Sequence, residues 1–91
     1  MLKILVIGLG YVGTANAVLL SLHNEVTCFD LDVLKSENLI NGISPIEDKE
    51  VSEYLSSKKL NLKSVENFPF ENEDFDFAII ATPTNLSLIH I

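Results

Sequence analysis

The sequence predicts an α/β fold built on a parallel sheet, because buried strands alternate along the chain with helical segments. Three apolar runs, at residues 2–7, 25–30 and 76–81, have the β-branched content and the few charges of buried strands. The segment 60–63 alternates apolar and polar residues and predicts a short edge strand. With right-handed crossovers we expect the strand order 3-2-1-4, in which the first strand is central. This arrangement is one half of a doubly wound parallel sheet.

A glycine-rich turn, GLGYVG at residues 8–13, joins the first strand to a helix expected over residues 11–22. Gly8 allows the tight turn, Gly10 lets a pyrophosphate approach the backbone, and Gly13 lets the helix pack closely on the strand. Such a turn between a buried strand and a helix is the phosphate-binding fingerprint of Rossmann-type folds. The predicted fold class is therefore an incomplete Rossmann-type doubly wound parallel sheet that binds a dinucleotide.

The start of the first helix and the end of the second strand supply polar groups for this site. The free backbone N–H groups at the start of the helix, around Tyr11 to Gly13, lie at the positive end of the helix dipole and can face phosphate. Asp30 ends the second strand, and its carboxylate can accept hydrogen bonds from both hydroxyls of an adenosine ribose. It would repel a 2′-phosphate, and the chain contains no arginine to bind one. The sequence therefore predicts NAD rather than NADP as the cofactor.

Three further polar residues are placed by the sequence near the same site. A second helix is expected over about residues 33–40 with Asp32 as its N-cap, and Lys35 falls in its first turn. Position alone leaves two interpretations of Lys35 open, a contact with the cofactor and an ordinary exposed lysine. Thr82 and Thr84 follow the strand 76–81, at the carboxyl end where a nucleotide would lie. Cofactor contacts and simple turn chemistry explain these two hydroxyls equally well.

Composition excludes several classes of protein. The net charge of −7, with six lysines, argues against a nucleic-acid surface. A single cysteine, Cys28, excludes an internal disulfide and is expected to be a buried apolar side chain rather than a nucleophile. No apolar run reaches membrane-spanning length, and the run 2–7 is too short for a signal peptide. We therefore expect a cytoplasmic protein that contacts neither nucleic acid nor membrane.

Four segments, in the same order along the chain, resemble a known enzyme family. They are KILVIGLGYVG at residues 3–13, NEVT at 24–27, NGISPI at 41–46 and IIATPT at 79–84. Together they resemble the UDP-glucose 6-dehydrogenases of the UDP-glucose/GDP-mannose dehydrogenase family, over roughly residues 1–85. The resemblance implies oxidation of UDP-glucose to UDP-glucuronate with two NAD per turnover, carried out by a homodimeric full-length enzyme.

The resemblance also implies roles for individual residues. The amides of Tyr11 and Val12 would meet the cofactor pyrophosphate, and Asp30 would hold the adenosine ribose. Lys35 would contact the same end of the cofactor, and Thr84 would lie near its other half.

The reactive groups of the family are expected elsewhere. Its nucleophilic cysteine, its catalytic lysine and its UDP-sugar pocket correspond to positions beyond residue 91, and Cys28 does not match the nucleophile. We therefore expect residues 1–85 to be a truncated NAD-binding domain without catalytic residues or a metal site, inactive on its own. Residues 86–91 are expected to be a tail of doubtful origin. The far edge of the strand 76–81 would then be open and would promote aggregation.

Two other functions are compatible with the sequence. Another nucleotide-sugar dehydrogenase, acting on UDP-N-acetylmannosamine or GDP-mannose, would share the cofactor motifs, and the residues that read the sugar are not in this chain. A non-catalytic NAD-sensing Rossmann module also combines a GxGxxG turn with an acid at the end of the second strand. The NGISPI and IIATPT segments argue against the sensor, because a bare sensor needs neither.

Overall fold

A computed structural model describes residues 1–44, 46–57, 60–65, 74–81 and 86–90, which form a five-stranded sheet with helices packed on it. In chain order the elements are β1 (Lys3–Ile7), α1 (Tyr11–Ser21), β2 (Glu25–Phe29), α2 (Val33–Ile40), α3 (Lys49–Ser57), β3 (Leu62–Val65), β4 (Phe77–Ala81) and β5 (Leu86–His90).

The sheet has the strand order β3-β2-β1-β4-β5. β1 pairs in parallel with β2 on one side and with β4 on the other, and β3 pairs in parallel with β2. The predicted fold class and the predicted order 3-2-1-4 are therefore confirmed. Because the first strand is central and parallel to its neighbours, the carboxyl ends of β1, β2 and β4 meet at one edge of the sheet.

The core is built on both faces of β1. Ile4 and Val6 belong to the larger cluster, in which they join Ala17 of α1 and Leu39 of α2. The smaller cluster consists of Leu5, Phe75 and Ala78. Alternate side chains of a strand point to opposite faces, so β1 is buried on both sides, as expected for the centre of a parallel sheet. Full burial of a residue the size of Val6 contributes about 1.5–3 kcal/mol.

The ends of α2 follow from its sequence. The Oδ1 of Asp32 accepts the N–H of Leu34 at 3.1 Å, which confirms the predicted N-cap. At the other end the N–H of Ile43 donates to the carbonyl of Asn38 at 2.8 Å, and the N–H of Gly42 donates to that of Leu39 at 3.0 Å. These two bonds are a Schellman motif, which satisfies carbonyls that the helix leaves unpaired. The two caps fix α2 directly after the end of β2.

The last strand differs from the sequence-based expectation. β5 pairs antiparallel with β4, from Phe77 opposite His90 to Ala81 opposite Leu86, so the expectation of an open edge at β4 is wrong. The physical reason is that an antiparallel partner can follow after a short connection, and residues 86–90 carry no charge. The division of the chain into residues 1–85 and a tail stays a prediction.

Candidate functional site

The turn between β1 and α1 is in close contact with the end of β4 and with the first turn of α1. Gly8 has a φ of +101°, and a Cβ built on it would overlap the carbonyl oxygen of Ala81 in β4. A Cβ built on Gly13 would overlap the carbonyl oxygen of Gly8. The predicted tight turn and the predicted close helix packing are therefore both present, and side chains at these two positions would push β4 or α1 away.

The start of α1 is open towards the site. The helix begins after Gly10, which offers no side-chain cap, and its first turn contains no acidic residue. No atom outside its own local chain lies within 4 Å of a Cβ built on Gly10. The first N–H groups of a helix carry partial positive charge and have no partner within the helix. This combination of free space and uncapped N–H groups fits a phosphate group.

The carboxylate of Asp30 is held in place by two backbone amides. Its Oδ2 accepts the N–H of Leu9 in the glycine turn at 2.6 Å, and its Oδ1 accepts the N–H of Asp32 at 2.7 Å. A carboxylate has about four lone-pair positions, so each oxygen of Asp30 can accept a further donor. Asp30 therefore connects the glycine turn to the start of α2 and still offers acceptors to a ligand.

These features surround one cavity of about 460 Å³ at the carboxyl edge of the sheet. Its size is within the range of 300–1,000 Å³ that is usual for small-molecule and cofactor sites. The predicted site residues that line it are Gly8, Gly10, Tyr11, Val12, Gly13, Asp30 and Lys35. Their common location supports cofactor binding, and the contact that each one makes stays a prediction.

Two of the predicted site residues, Thr82 and Thr84, lie outside the described residues. Two further residues of the site were not predicted from the sequence: Ala81, which lines the cavity, and Leu9, whose amide holds Asp30. Ala81 could have been found, because the order 3-2-1-4 puts the end of β4 next to the glycine turn. Leu9 contributes its backbone rather than its side chain, and no residue type marks such a contribution.

Cys28 is confirmed as a buried apolar side chain. It lies in the larger core cluster and is fully buried, and burial raises the pKa of its thiol to about 12. A thiol with such a pKa is protonated at neutral pH and is a poor nucleophile.

The described residues contain no group of three or more His, Cys, Asp or Glu side chains that could hold a metal ion. Within the same residues, no helix combines the length and the apolar character needed to cross a bilayer.

Comparison with known proteins identifies the domain. The model of the UDP-glucose/GDP-mannose dehydrogenase family, NAD binding domain, matches residues 2–88. The chain is 44% identical over 84 residues to a UDP-glucose 6-dehydrogenase of Streptococcus pneumoniae, covering 92% of this chain and 21% of that protein. It is 40% identical over 86 residues to the enzyme of that name from Campylobacter jejuni, covering 92% of this chain and 22% of the relative.

A third relative, a UDP-glucose 6-dehydrogenase of Bacillus subtilis, is 33% identical over 87 residues, or 90% of this chain and 20% of the relative. The chain thus spans about a fifth of the length of the curated relatives it matches. Because the family model covers nearly the whole chain, the chain belongs to the UDP-glucose/GDP-mannose dehydrogenase family and forms its NAD-binding domain.

Proposed function

We propose that this chain is the NAD-binding part of a UDP-glucose 6-dehydrogenase. The observation that carries the proposal is the cavity at the carboxyl edge of the sheet, where seven residues chosen from the sequence lie together. The two relatives of this name from Streptococcus pneumoniae and Campylobacter jejuni each match more than nine tenths of the chain. The full-length enzyme would oxidise the 6-hydroxyl of UDP-glucose to a carboxylate with two NAD per turnover, as a homodimer in the cytoplasm.

The glycine turn and the start of α1 would bind the cofactor pyrophosphate. The amides of Tyr11 and Val12 would donate to phosphate oxygens, and the positive end of the helix would stabilise their charge. The free space around Gly10 supports this role, because a larger residue would occupy the volume that the phosphates need. Gly8 and Gly13 would act indirectly, by letting β4 and α1 approach the turn.

Asp30 would bind the ribose of the adenosine half. Its oxygens already accept one amide each, and the remaining lone pairs would accept the two ribose hydroxyls. Lys35 lines the same cavity and would contact the same end of the cofactor. Thr84 would lie near the other half of the cofactor, as the family resemblance implies, and the hydroxyl of Thr82 would be a further cofactor contact. The same carboxylate would exclude NADP, because a 2′-phosphate would face the negative charge of Asp30.

The chemistry that NAD supplies when bound is the acceptance of a hydride from the substrate. The residues of this chain would bind and orient the cofactor, and none of them would attack the substrate. The buried thiol of Cys28, with a pKa of about 12, is consistent with that division. We therefore propose that the 91-residue chain binds NAD without turning over UDP-glucose.

Calorimetric titration of the chain with NAD and with NADP tests the proposal. Asp30→Asn keeps the side-chain size but removes the charge. We expect it to weaken NAD binding about tenfold or more and to reduce the preference for NAD over NADP. Glu25→Gln removes the same charge from an exposed residue at the start of β2 and should leave both affinities unchanged. Absence of NAD binding by the unmodified chain, or equal binding by Asp30→Asn, would contradict the proposal.

A second function is favoured by the family model itself, which covers GDP-mannose as well as UDP-glucose enzymes. The sugar would be read outside this chain, so both functions share the cofactor site described here. An assay of the full-length protein with each nucleotide sugar would separate them.

A further inference from the structure

A buried serine lies behind Asp30 and has no part in the roles given above. Ser36 is in the first half of α2 and is fully buried. Its Oγ accepts the backbone N–H of Asp30 at 3.2 Å and donates to the Asp30 carbonyl oxygen at 3.4 Å. In turn, the hydroxyl of Ser64 in β3 donates to the carbonyl oxygen of Ser36 at 2.9 Å. A continuous set of hydrogen bonds therefore runs from β3 through α2 to Asp30.

The backbone of Asp30 needs such a partner because the strand pairing stops one residue earlier. Phe29 is the last residue of β2, opposite Ile7 of β1 and Val65 of β3. The carbonyl of Phe29 accepts the N–H of Gly8 at 2.9 Å, whereas Asp30 lies beyond both pairings. A partly buried backbone group without a partner is unfavourable, and the Ser36 hydroxyl satisfies both the N–H and the carbonyl of Asp30.

We propose that Ser36 is a positioning residue for NAD binding, a role that rests on the proposed function of Asp30. By fixing the Asp30 backbone, Ser36 keeps both carboxylate oxygens on the amides of Leu9 and Asp32. The remaining lone pairs then point into the cavity, where the two hydroxyls of the adenosine ribose would meet them. Ser36 itself is absent from the cavity wall, so its effect on the cofactor passes through Asp30.

The variant Ser36→Ala removes the hydroxyl and leaves the rest of α2 in place. We expect it to weaken binding of NAD and of ADP about tenfold. Ser64→Ala removes only the outer hydrogen bond and should give a smaller loss in the same direction. Ser21→Ala is the matched control, because Ser21 is equally buried and its hydroxyl donates to Val18 within α1, far from Asp30.

Two probes that differ only in the ribose hydroxyls distinguish a positioning role of Ser36 from a loss of stability. The probes are ADP and 2′,3′-dideoxy-ADP, which differ only in the groups that Asp30 would bind. The unmodified chain and Ser21→Ala should prefer ADP, and Ser36→Ala should bind the two probes with nearly equal affinity. General destabilisation would weaken the binding of both probes by the same factor and leave the ratio of their affinities unchanged. That outcome would overturn the proposal.

Hydrogen exchange of the NAD-free chain gives a second measurement, independent of ligand. The amide of Leu9 should exchange faster in Ser36→Ala than in the unmodified chain and in Ser21→Ala, because the Asp30 carboxylate no longer holds it. Unchanged exchange would overturn the proposal even if Ser36→Ala binds ADP weakly. If the unmodified chain binds neither NAD nor ADP, the proposed function fails, and the exchange of Leu9 still decides whether Ser36 holds Asp30.

Discussion

Within the described residues, the part of the sheet next to β1 on the β2 side and the part on the β4 side contribute different kinds of contact to the site. On the β2 side, directional hydrogen bonds join Asp30 to Leu9, Asp32 and Ser36. On the β4 side, Ala81 contributes its backbone close to Gly8 and no side-chain hydrogen bond to the site.

Beyond that contact the β4 side carries an apolar groove of about 320 Å³, lined by Leu2, Ile4, Asn16, Leu20, Phe77, Ile79 and Leu88. Hydrogen bonds orient groups, whereas apolar contacts mainly contribute free energy in proportion to area. We therefore expect loss of the Asp30 or Ser36 side chain to change ligand affinity. Substitutions in β4 and β5 should change stability and association.

The largest effect is expected where the two sides meet, at Gly8. Gly8→Ala places a Cβ at a φ of +101° and against the carbonyl oxygen of Ala81. We expect the free energy of unfolding to fall by about 3 kcal/mol or more, because strain and overlap add. Urea denaturation followed by circular dichroism measures the change.

Gly10→Ala is the matched control for this substitution. Gly10 has a φ of −78°, which alanine adopts freely, and the space around its Cβ is open. We expect its free energy of unfolding to change by about 1 kcal/mol or less, while NAD binding weakens because the methyl group enters the cavity. Equal destabilisation by the two variants would show that β4 does not restrict the turn.

The buried thiol of Cys28 in β2 makes the free energy of unfolding depend on pH in the alkaline range. Burial raises the pKa of Cys28 from 9.0 to about 12, so between these values the unfolded chain loses the thiol proton and the folded chain keeps it. The contribution of Cys28 is therefore constant below pH 9 and falls by about 1.4 kcal/mol per pH unit above it. Denaturation of the unmodified chain and of Cys28→Ala at pH 8 to 10.5 isolates this slope, because the other groups titrate in both. Parallel pH profiles would contradict the prediction.

How much the sequence could predict also differs between the two sides. On the β2 side the residue types themselves carry the information: glycines in the turn, an acid at the end of β2 and the N-cap Asp32. The role of Ser36 was not predicted, because serines are common inside helices. Its hydrogen bond with Asp30 depends on how α2 is placed relative to the end of β2, which the sequence does not specify.

On the β4 side the contact with Gly8 uses the backbone of Ala81, which any residue would provide. The pairing of β5 was missed because six residues without a turn motif or a periodic core pattern do not specify their partner. The parallel strand order could be predicted from the alternation of strands and helices, whereas the pairing of β5 and the hydrogen bonds of Ser36 could not.

A smaller effect is expected from the cap of α2. Asp32→Ala removes the acceptor for the N–H of Leu34, which should lower the free energy of unfolding by about 1 kcal/mol. The N–H of residue 32 remains available to Asp30, so NAD affinity should change by about twofold or less. Thermal unfolding and calorimetry measure the two quantities, and a large loss of affinity would mean that the cap rather than the amide organises the β2 side.

The smallest effect on stability is expected at the outer edge of the β4 side. β5 is one of the two edge strands of the described sheet, carries no charge in residues 86–90, and exposes Leu88 and Ile89. An apolar edge of this kind promotes pairing with another chain, so we expect the apparent mass to rise with protein concentration. Leu88→Lys should suppress this rise, with a change of about 0.5 kcal/mol or less in the free energy of unfolding and no change in NAD affinity.

Leu31→Lys is the matched control for that substitution, since Leu31 is the more exposed leucine and lies on the β2 side, next to Asp30. It adds the same charge to the chain without changing the edge of the sheet. Sedimentation equilibrium over a hundredfold range of concentration compares the three proteins. If Leu31→Lys suppresses association as well as Leu88→Lys does, net charge rather than the β5 edge controls association, and the two sides of β1 do not differ in this respect.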